Sequence, residues 1–259
     1  MIQDGATTPM RVDMLWTGGW DSTFRLLDVV HRADVTVQPW YVVDPLRPSA
    51  DHEQRAMDDL RARFAAQRPD LAARILPTVL YPRADIPEMP EVTALWDAIR
   101  ARDRIGKQYD WLSRLARHEG LTRLEIGIQG APDSGWAFTL AKNGRRVETA
   151  YGPVLELVEK PEPPEYELFR PFVFSLVSTV KLEMLADAER AGFAPLLEYT
   201  WFCAEPRGAH ACGTCHPCQQ ALAQGMSRRM PLRSRVIGTV HGRVISARRK
   251  WKRWRRGER

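Results

Sequence analysis

The sequence contains no long run of apolar residues. A membrane-spanning helix needs about 18 consecutive apolar residues, whereas the most apolar stretch, residues 172–180, is much shorter and contains three hydroxyl side chains. Residues 1–10 include Asp4 and lack the apolar core of a secretory signal. These absences exclude an integral membrane protein, and we expect a cytoplasmic protein with no membrane partner.

The composition gives no sign of disorder or of a fibrous repeat. Hydrophobic residues make up 44% of the chain and charged residues 27%, which is ordinary for globular proteins. The 259 residues suffice for one large α/β domain, or for one domain with a small appendage. We therefore expect a globular protein with a sizeable core.

Acidic residues are nearly absent from the C-terminal end. Residues 248–259 contain eight lysines and arginines and one glutamate, so they carry +7 while residues 1–247 sum to −1. A basic arm of this kind attracts polyanions without regard to sequence. Trp251 and Trp254 would share a helix face, where they suit base stacking, an anionic partner or a membrane surface. The alternative is a solvated tail whose two tryptophans fold back onto the body.

Cysteine is scarce, and all of it lies in one window of 16 residues, at Cys203, Cys212, Cys215 and Cys218. In a cytoplasmic protein this spacing indicates four thiolates around one tetrahedral zinc ion rather than disulfides. Four protein ligands leave no open coordination position, so we predict a structural zinc. An iron–sulfur cluster is the competing interpretation, and His210 or His216 is able to replace one cysteine.

A glycine-rich turn follows the first predicted strand, residues 11–16, and opens a helix. It consists of Thr17, Gly18, Gly19, Trp20, Asp21, Ser22 and Thr23. In this layout backbone N–H groups point at an anion, the glycines allow close approach, and the three hydroxyls add donors. Asp21 can hold a magnesium ion that bridges phosphates. The turn matches neither the Walker pattern nor the dinucleotide fingerprint. The alternative is an ordinary helix start with Asp21 or Ser22 as N-cap.

Strand and helix patterns alternate along the rest of the first half. We predict further strands at 35–43, 74–81 and 124–129, and helices at 49–68, 91–102 and 108–119. This alternation predicts a Rossmann-like open parallel sheet with helices on both faces and a ligand crevice at the carboxyl ends of the strands. Residues 160–171, rich in proline and acid, are expected to be an exposed connector, and residues 176–191 an amphipathic helix.

Two motifs together resemble one family of enzymes. TGGWDST resembles the SGG-x-DS loop of the PP-loop ATP pyrophosphatase superfamily. YTWFCAEPRGAHACGTCHPCQQAL resembles the zinc region of 7-cyano-7-deazaguanine synthases, in which L-T-W-S-C precedes C-G-x-C-x-x-C. KLEM, at residues 181–184, is similar to the K-x-E-I helix start of that family. In order and spacing these pieces cover about residues 11–225.

The resemblance implies an ATP-dependent carbon–nitrogen ligase. Its expected reaction adenylates the carboxylate of 7-carboxy-7-deazaguanine, releases pyrophosphate and forms an amide with ammonia, and a second ATP then drives dehydration to the nitrile. Such a reaction belongs to queuosine biosynthesis. The loop at 17–23 would bind ATP, Asp21 would position Mg²⁺, and Lys181 would offset phosphate charge. Asp21, Ser22 and Lys181 are thus the predicted catalytic residues, although a lysine that opens a helix is usually solvated. The family is often dimeric, so a homodimer is expected.

The region after the fourth predicted strand departs from the family pattern D-x-S-G-Y-P-D-C-R. Here residues 131–138 read APDSGWAF. Gln129, Asp133, Ser134 and Trp136 are predicted to bind the substrate, with Trp136 stacking on a purine-like base and Asp133 accepting from its amidine edge. The alternative is a hairpin of strands 136–142 and 145–151, because Asn143-Gly144 is a hairpin signal. The departure leaves the substrate and the nitrile-forming step open.

These features divide the chain into three parts and leave several functions open. The parts are a PP-loop nucleotide-binding domain at 1–195, a four-cysteine zinc module at 196–230 and a basic tail at 231–259. The first function is the small-molecule synthase. The second uses the same ATP chemistry to conjugate a deazaguanine to a protein terminus, as relatives in antiviral defence operons are expected to do. The third is a non-catalytic nucleic-acid-binding zinc protein. A sulfur- or ammonia-transfer enzyme acting on transfer RNA is a fourth.

Overall fold

The chain folds around one central sheet. The computed structural model describes residues 10–128, 135–177 and 179–255. Its strands are β1 (Met10–Leu15), β2 (Val35–Val43), β3 (Val79–Pro82), β4 (Leu124–Ile126), β5 (Gly144–Val147), β6 (Val154–Leu157) and β7 (Phe172–Phe174). Its helices are α1 (Trp20–Arg32), α2 (Ala50–Gln67), α3 (Pro69–Ala72), α4 (Pro90–Arg100), α5 (Gln108–His118), α6 (Trp136–Lys142), α7 (Lys181–Arg190), α8 (His216–Ala223) and α9 (Leu232–Arg255). Short 3₁₀ helices lie at Arg83–Asp85, Pro164–Phe169, Ala194–Tyr199 and Ser227–Arg229.

The described strands form a seven-stranded sheet in the order β3-β2-β1-β4-β7-β6-β5. The first five in this order are parallel, and β6 and β5 extend the sheet as antiparallel strands. The chain runs outward from β1 to β3 and then returns to the other side of β1 as β4. In open α/β sheets the ligand crevice lies at such a switch, at the carboxyl ends of the two strands. The predicted α/β class with a mostly parallel sheet is confirmed.

Helices cover both faces of the sheet and bury two separate apolar layers. On one face, α1, α2 and α7 contribute Phe24, Leu60 and Met184. On the other face, α4 and α5 contribute Trp96 and Leu112. Neighbouring residues of a strand point to opposite faces, so strands packed on both sides are apolar almost throughout, as β2 is. Each large side chain buried in this way stabilises the fold by about 2 kcal/mol.

A buried ion pair fixes α1 against the centre of the sheet. Arg25, on α1, pairs through its guanidinium with the fully buried Glu125 of β4. Its Nη1 also lies 3.0 Å from Asp28 Oδ2 and donates to Tyr151 O at 3.1 Å. Buried charges are tolerated only when they are paired and hydrogen-bonded, and here both conditions hold. The arrangement sets the start of α1 at the switch between β1 and β4.

Residues 136–142 form helix α6, so the alternative that made them a strand of a hairpin is wrong. Asn143, which was predicted to make a hairpin turn, is buried and ends the helix instead. Its Nδ2 donates to Thr139 O at 2.9 Å and to Glu162 O at 2.7 Å, and its Oδ1 accepts from Glu162 N at 2.6 Å. The hairpin forms further along the chain, between β5 and β6. The sequence does not show whether an asparagine side chain such as that of Asn143 will bond to a distant backbone or sit in a hairpin turn.

The prediction that residues 160–171 are exposed is only half right. The 3₁₀ helix at Pro164–Phe169 buries Tyr166, Leu168 and Phe169, and Ser113 Oγ of α5 donates to Leu168 O at 2.8 Å. The prolines and acids that suggested a solvated connector are interleaved with these apolar residues. The segment therefore closes one face of the sheet.

Three predicted boundaries shift for local reasons. The strand predicted at 74–81 begins at Val79, because Pro77 has no N–H to donate and only Ile75 bridges to β2 before it. The helix predicted at 176–191 begins at Lys181, where Val180 N donates to Glu183 at 3.2 Å and caps it. The strand predicted at 124–129 ends at Ile126.

Helix α9 is long and strongly basic. Its 24 residues include nine lysines and arginines and no acid. Leu232, Val236, Val240 and Val244 recur at four-residue intervals, and each is about half exposed or more. Among the helices that the structure describes, none combines the length and hydropathy required to cross a lipid bilayer.

Candidate functional site

The four cysteines predicted as metal ligands lie together, and all are buried. Their sulfur atoms are all within 4.8 Å of one another. Cys203 Sγ is 3.8 Å from Cys215 Sγ, and Cys212 Sγ is 3.9 Å from Cys218 Sγ. A tetrahedral zinc ion with Zn–S bonds of about 2.3 Å places its sulfurs about 3.8 Å apart. The four are therefore positioned to bind a metal ion such as zinc, as predicted.

The spacing of these sulfurs favours a single ion over a cluster. The thiolates that ligate an iron–sulfur cluster must surround several metal atoms, so they lie further apart than those around one ion. His210 and His216, considered as substitutes for a cysteine, do not belong to the group of ligand atoms found among the described residues. The donor set is four sulfurs, which closes a tetrahedral site.

Backbone N–H groups surround the sulfur of Cys212. Thr214 N and Cys215 N each donate to it at 3.3 Å, and Thr214 Oγ1 lies at 3.5 Å. Burial raises the pKa of the Cys212 thiol, but these donors outweigh it and lower the pKa to about 6. Gly213 has φ +82°, which lets the chain bend around the sulfur. The loop is thus preorganised for a thiolate.

Helix α9 packs closely on the cysteine loop through glycines. A Cβ atom on Gly213 would lie 2.2 Å from Ser234 O, and one on Gly238 would lie 2.6 Å from Gly213 O. Gln219 Nε2 donates to the carbonyls of both glycines, at 2.7 and 3.0 Å. The first half of α9 is therefore held against the cysteine loop. The division of the chain at 195 and 230 stays a prediction.

The turn between β1 and α1 leaves the helix N-terminus open. Gly19 occupies the N-cap position and no side chain caps the first turn, so the alternative with Asp21 or Ser22 as N-cap is wrong. Gly18 has φ +63°, and a Cβ atom there would lie 2.9 Å from Glu53 O, so only glycine fits. The N–H groups of the first helical turn have no partner within the helix. Such N–H groups, together with the helix dipole, are suited to bind an anion.

The predicted loop residues do not all face the same space. Thr17, Gly19, Asp21 and Ser22 line a cleft at this N-terminus. Ser22 Oγ donates to Gly19 O at 3.3 Å. Thr23 is buried, accepts a hydrogen bond from Trp16 Nε1 at 3.0 Å, and is not among the described residues that line the cleft. Gly18 is not among the described residues that line the cleft, and it faces the backbone of α2 at Glu53.

Lys181, which the resemblance offered as a phosphate ligand, lines the same cleft. Its Nζ is 3.3 Å from Asp21 Oδ1 and 5.1 Å from the centre of the Trp20 ring. Asp21 Oδ1 is buried, and the ion pair with Lys181 is the one polar contact that the described residues give it. A lysine contributed by α7 thus faces a carboxylate contributed by α1, across the carboxyl end of the sheet.

The cleft joins the sheet to the cysteine loop. Its volume is about 310 Å³. Gly127, just after β4, lines it on the sheet side, and Trp201, Phe202, Ala204, Pro217 and Gln220 line it on the cysteine side. Trp201 N donates to Gly18 O at 2.8 Å, which holds the two sides together. The cleft therefore lies at the switch between β1 and β4.

Two arginines and a glutamate in the cleft were missed in the sequence. Arg47 pairs with Glu53 at 2.9 Å, and Glu53 also accepts from Tyr41 Oη and Ser49 Oγ. Burial raises the pKa of Glu53 above its usual value, against the opposing effect of Arg47. Arg229 donates to Thr200 Oγ1 at 2.7 Å, its Nε has no partner among the described residues, and burial lowers its pKa.

No signal in the sequence distinguished these arginines from the other cations. Arg47 lies four residues beyond the end of β2, at the carboxyl edge of the sheet, but that position alone does not mark it as a ligand-binding residue. Arg229 reaches the cleft only because the cysteine loop folds back over the sheet.

Of the four residues predicted to bind the substrate, the structure describes Trp136 alone. Gln129, Asp133 and Ser134 lie outside the described residues. Trp136 stacks on Phe169 with ring centres 5.6 Å apart, and lies 4.8 Å from Tyr109. It belongs to the aromatic packing on one face of the sheet and is not among the described residues that line the cleft.

Comparison with known proteins adds no family. No family model matches the chain, and no curated protein matches it at a significant level. What the structure shows is an α/β protein with a mostly parallel sheet, an open cleft at its topological switch and four cysteines positioned to bind a metal ion such as zinc.

Proposed function

We propose that this protein is an ATP-dependent carbon–nitrogen ligase of the PP-loop type that activates a carboxylate as an acyl-adenylate. One observation carries the proposal. One cleft is lined by three features: the open N-terminus of α1, Lys181 and the cysteine loop. These are the features on which the resemblance to 7-cyano-7-deazaguanine synthases depends. If each short motif matched by chance, we would not expect the three features to lie around the same cleft.

The charges of the cleft suit a polyphosphate. Lys181, Arg47 and Arg229 line it together with the N–H groups that begin α1. Cations and helix N-termini that are fixed in advance stabilise the charge that develops on a leaving pyrophosphate. We assign the β- and γ-phosphates to the turn at residues 17–22 and the α-phosphate to the neighbourhood of Lys181.

Asp21 is the residue that fits magnesium. Among the described residues its buried Oδ1 is contacted by the Lys181 ammonium alone, and Ser22 and Thr17 line the same cleft with their hydroxyl groups. Carboxylate and hydroxyl oxygens, completed by phosphate oxygens and water, are the ligands that Mg²⁺ prefers. When bound, the ion would neutralise charge on the phosphates. In its absence, Lys181 balances the carboxylate at 3.3 Å.

The reaction requires no nucleophilic side chain. A carboxylate oxygen of the substrate attacks the α-phosphorus of ATP, and the bond to pyrophosphate breaks. Ammonia then attacks the acyl carbon, loses a proton, and AMP leaves with the former carboxylate oxygen. In a second round the amide oxygen attacks another ATP, and its departure with AMP and the loss of two amide protons leave a nitrile. The four cysteines are positioned as ligands of one metal ion, so the proposal assigns none of them as a nucleophile.

The acceptor can be small or macromolecular. The 7-deazaguanine carboxylate with ammonia is the first proposal. Conjugation to a protein terminus, as in an antiviral defence system, is the alternative that the altered residues 131–138 leave open. A homodimer is proposed from the resemblance alone.

The test is an incubation with ATP, Mg²⁺, ammonium and 7-carboxy-7-deazaguanine, followed by mass spectrometry. We expect AMP and pyrophosphate in equal amounts, together with an amide or nitrile product. Omitting the carboxylate is the control and should abolish AMP formation. A protein that binds Mg–ATP but yields no AMP with this substrate would redirect the search to a macromolecular acceptor, and one that binds no ATP would contradict the proposal.

A second candidate function, polyanion binding, is favoured by α9, which carries nine cations and no acid. Truncation after Ala247 removes the basic end and keeps the glycine contacts with the cysteine loop. We expect it to weaken binding of short duplex DNA by at least about tenfold and to flatten the dependence of that binding on salt. AMP formation should stay at the wild-type level if α9 is accessory.

The matched control for truncation keeps the length of the helix. In it, glutamine replaces every lysine and arginine between 248 and 259. If this full-length variant binds DNA like the wild type, charge does not drive the binding. If truncation abolishes AMP formation as well, α9 serves the reaction itself.

A further inference from the structure

Most of helix α9 shows apolar residues in a heptad pattern. Steps of three and four residues alternate along the row Ile237, Val240, Val244, Ala247, Trp251 and Trp254. In a heptad written abcdefg, these residues occupy every a and d position of residues 237–254, which corresponds to about 27 Å of helix. Alternating steps of this kind are typical of a helix that packs lengthwise along another helix. We refer to this row of residues as the seam.

The seam faces away from the cysteine loop. The residues of α9 that approach the loop are glycines: a Cβ atom on Gly238 would lie 2.6 Å from Gly213 O, and one on Gly242 would lie 2.7 Å from a side-chain oxygen of α8. Each of these glycines precedes a seam valine by two residues, which is about 200° around a helix. Val240 is 56% exposed and Val244 is 46% exposed. The body of the protein therefore covers one side of α9 and leaves these two valines at the surface.

Both flanks of the seam are basic. Heptad positions e and g border the a and d positions and meet the partner helix beside them. In residues 237–255 these positions are occupied by His241, Arg243, Arg248, Lys250 and Arg255. Such positions select the partner by charge, because like charges repel and opposite charges pair across the two helices. A second copy of α9 would be repelled, whereas a helix with acids at e and g would be attracted.

The pattern favours a helix over other polyanions. The phosphates of DNA would engage the cations of α9 but would leave Val240 and Val244 in water. A lipid surface takes up the wide apolar face of an interfacial helix. Residues at a and d alone form a much narrower stripe, and here cations border it on both sides. A second helix covers such a stripe and reaches both flanks at once.

We infer that the seam of α9 binds an acidic amphipathic helix of a partner protein. The partner has aliphatic residues at its own a and d positions, which cover Val240 and Val244, and glutamate or aspartate at e and g, which pairs with the cations of the two flanks. Apolar burial contributes affinity, and the charges determine which helix binds. The interaction differs from simple polyanion binding because it requires the apolar row as well as the charge. It lies outside the ATP cleft and does not depend on the ligase reaction.

The probe is a synthetic peptide of three heptads, labelled with fluorescein, with leucine at a and d and glutamate at e and g. A scrambled peptide of the same composition keeps the charge and loses the pattern. Fluorescence anisotropy titrations with the full-length protein measure its affinity for each peptide and for short duplex DNA. Val244→Asn places an amide in the seam. Leu232→Asn is the matched control, because Leu232 is 74% exposed on the same helix but lies at position c, outside the seam.

We expect the wild-type protein to bind the heptad peptide at least about tenfold more tightly than the scrambled peptide. Val244→Asn should weaken binding of the heptad peptide by at least about tenfold, and Leu232→Asn should leave it within about twofold of wild type. Neither variant changes a cation, so both should bind duplex DNA like the wild type. Should Val244→Asn fail to fold, Val240→Asn takes its place.

Four results would overturn the inference. Absence of binding to the heptad peptide would refute the acidic helix, and equal binding of the two peptides would show that charge alone drives the interaction. If the wild type binds vesicles of phosphatidylglycerol and Val244→Asn does not, while neither peptide binds, the seam faces a membrane. If the wild type self-associates and Val244→Asn is monomeric, a second copy of the chain covers the seam.

Discussion

Replacing Cys215 with serine is expected to release the metal and to destabilise the protein strongly. Four thiolates at this spacing bind one ion, and in small closed sites metal binding supplies folding free energy of about 10 kcal/mol or more. Loss of one ligand should lower the melting temperature by roughly 10 °C or more. Zinc content by elemental analysis and thermal unfolding by circular dichroism measure the two effects.

The control for this variant lies in the same window. His210→Ser removes a metal-binding residue type that the structure places outside the group of four sulfurs. It should retain one zinc per chain and the wild-type melting temperature. Full zinc content and unchanged stability in Cys215→Ser would contradict a structural metal, and loss of zinc in His210→Ser would show that the ligand set is wrong.

Loss of the metal should also disturb the lining of the cleft and so weaken ligand binding there. The cysteine loop contributes Trp201, Phe202 and Pro217 to the lining, and Trp201 is bonded to the turn at Gly18. We therefore expect metal-depleted protein to bind Mg–ATP weakly even where the sheet stays folded.

Asp21→Asn should abolish pyrophosphate release while the protein stays folded. The variant keeps the size of the side chain but removes the charge that would hold magnesium. Loss of one electrostatic contact to developing charge typically costs about 100- to 1,000-fold in kcat, which a coupled pyrophosphate assay detects. The melting temperature should hardly change, because the partner that the carboxylate loses among the described residues is Lys181, in a partly exposed ion pair that contributes about 1 kcal/mol or less.

A second aspartate on α1 provides the opposite control. Asp28 is buried between Arg25 and Arg32 and faces away from the cleft residues. Asp28→Asn should lower the free energy of unfolding by about 2 kcal/mol, since Arg25 and Arg32 each lose a charged acceptor while Arg25 keeps Glu125, and each folded molecule should keep its activity. If Asp21→Asn instead destabilises the fold and remains active, the magnesium role is wrong.

Much of the scaffold was predictable because local patterns dictate it. β2 shows an apolar run that ends at Asp44-Pro45, and the glycine turn before α1 requires a positive φ at Gly18. The four cysteines were predictable because only one arrangement brings such closely spaced thiols to a single ion. These signals are short in range, so tertiary packing did not override them.

The remainder depends on contacts that are distant in sequence. Arg229 enters the cleft because the cysteine loop folds back over β1, and Trp136 leaves it because Phe169 and Tyr109 offer an aromatic surface. Asn143 ends α6 because Glu162 is available as a partner. Neither the periodicity nor the composition of the sequence indicates any of these pairings.

The hydrogen bond from Trp201 N to Gly18 O joins two main-chain groups. Side-chain substitution at position 201 cannot remove it, with the exception of proline, which has no N–H. This main-chain hydrogen bond is consequently retained when residue 201 is replaced. The stacking of the Trp201 ring on His52 is lost when the ring is removed. Saturation of this position should therefore separate the main-chain join, which proline alone removes, from the contacts of the indole ring with His52 and, at 2.7 Å, with Cys203 O.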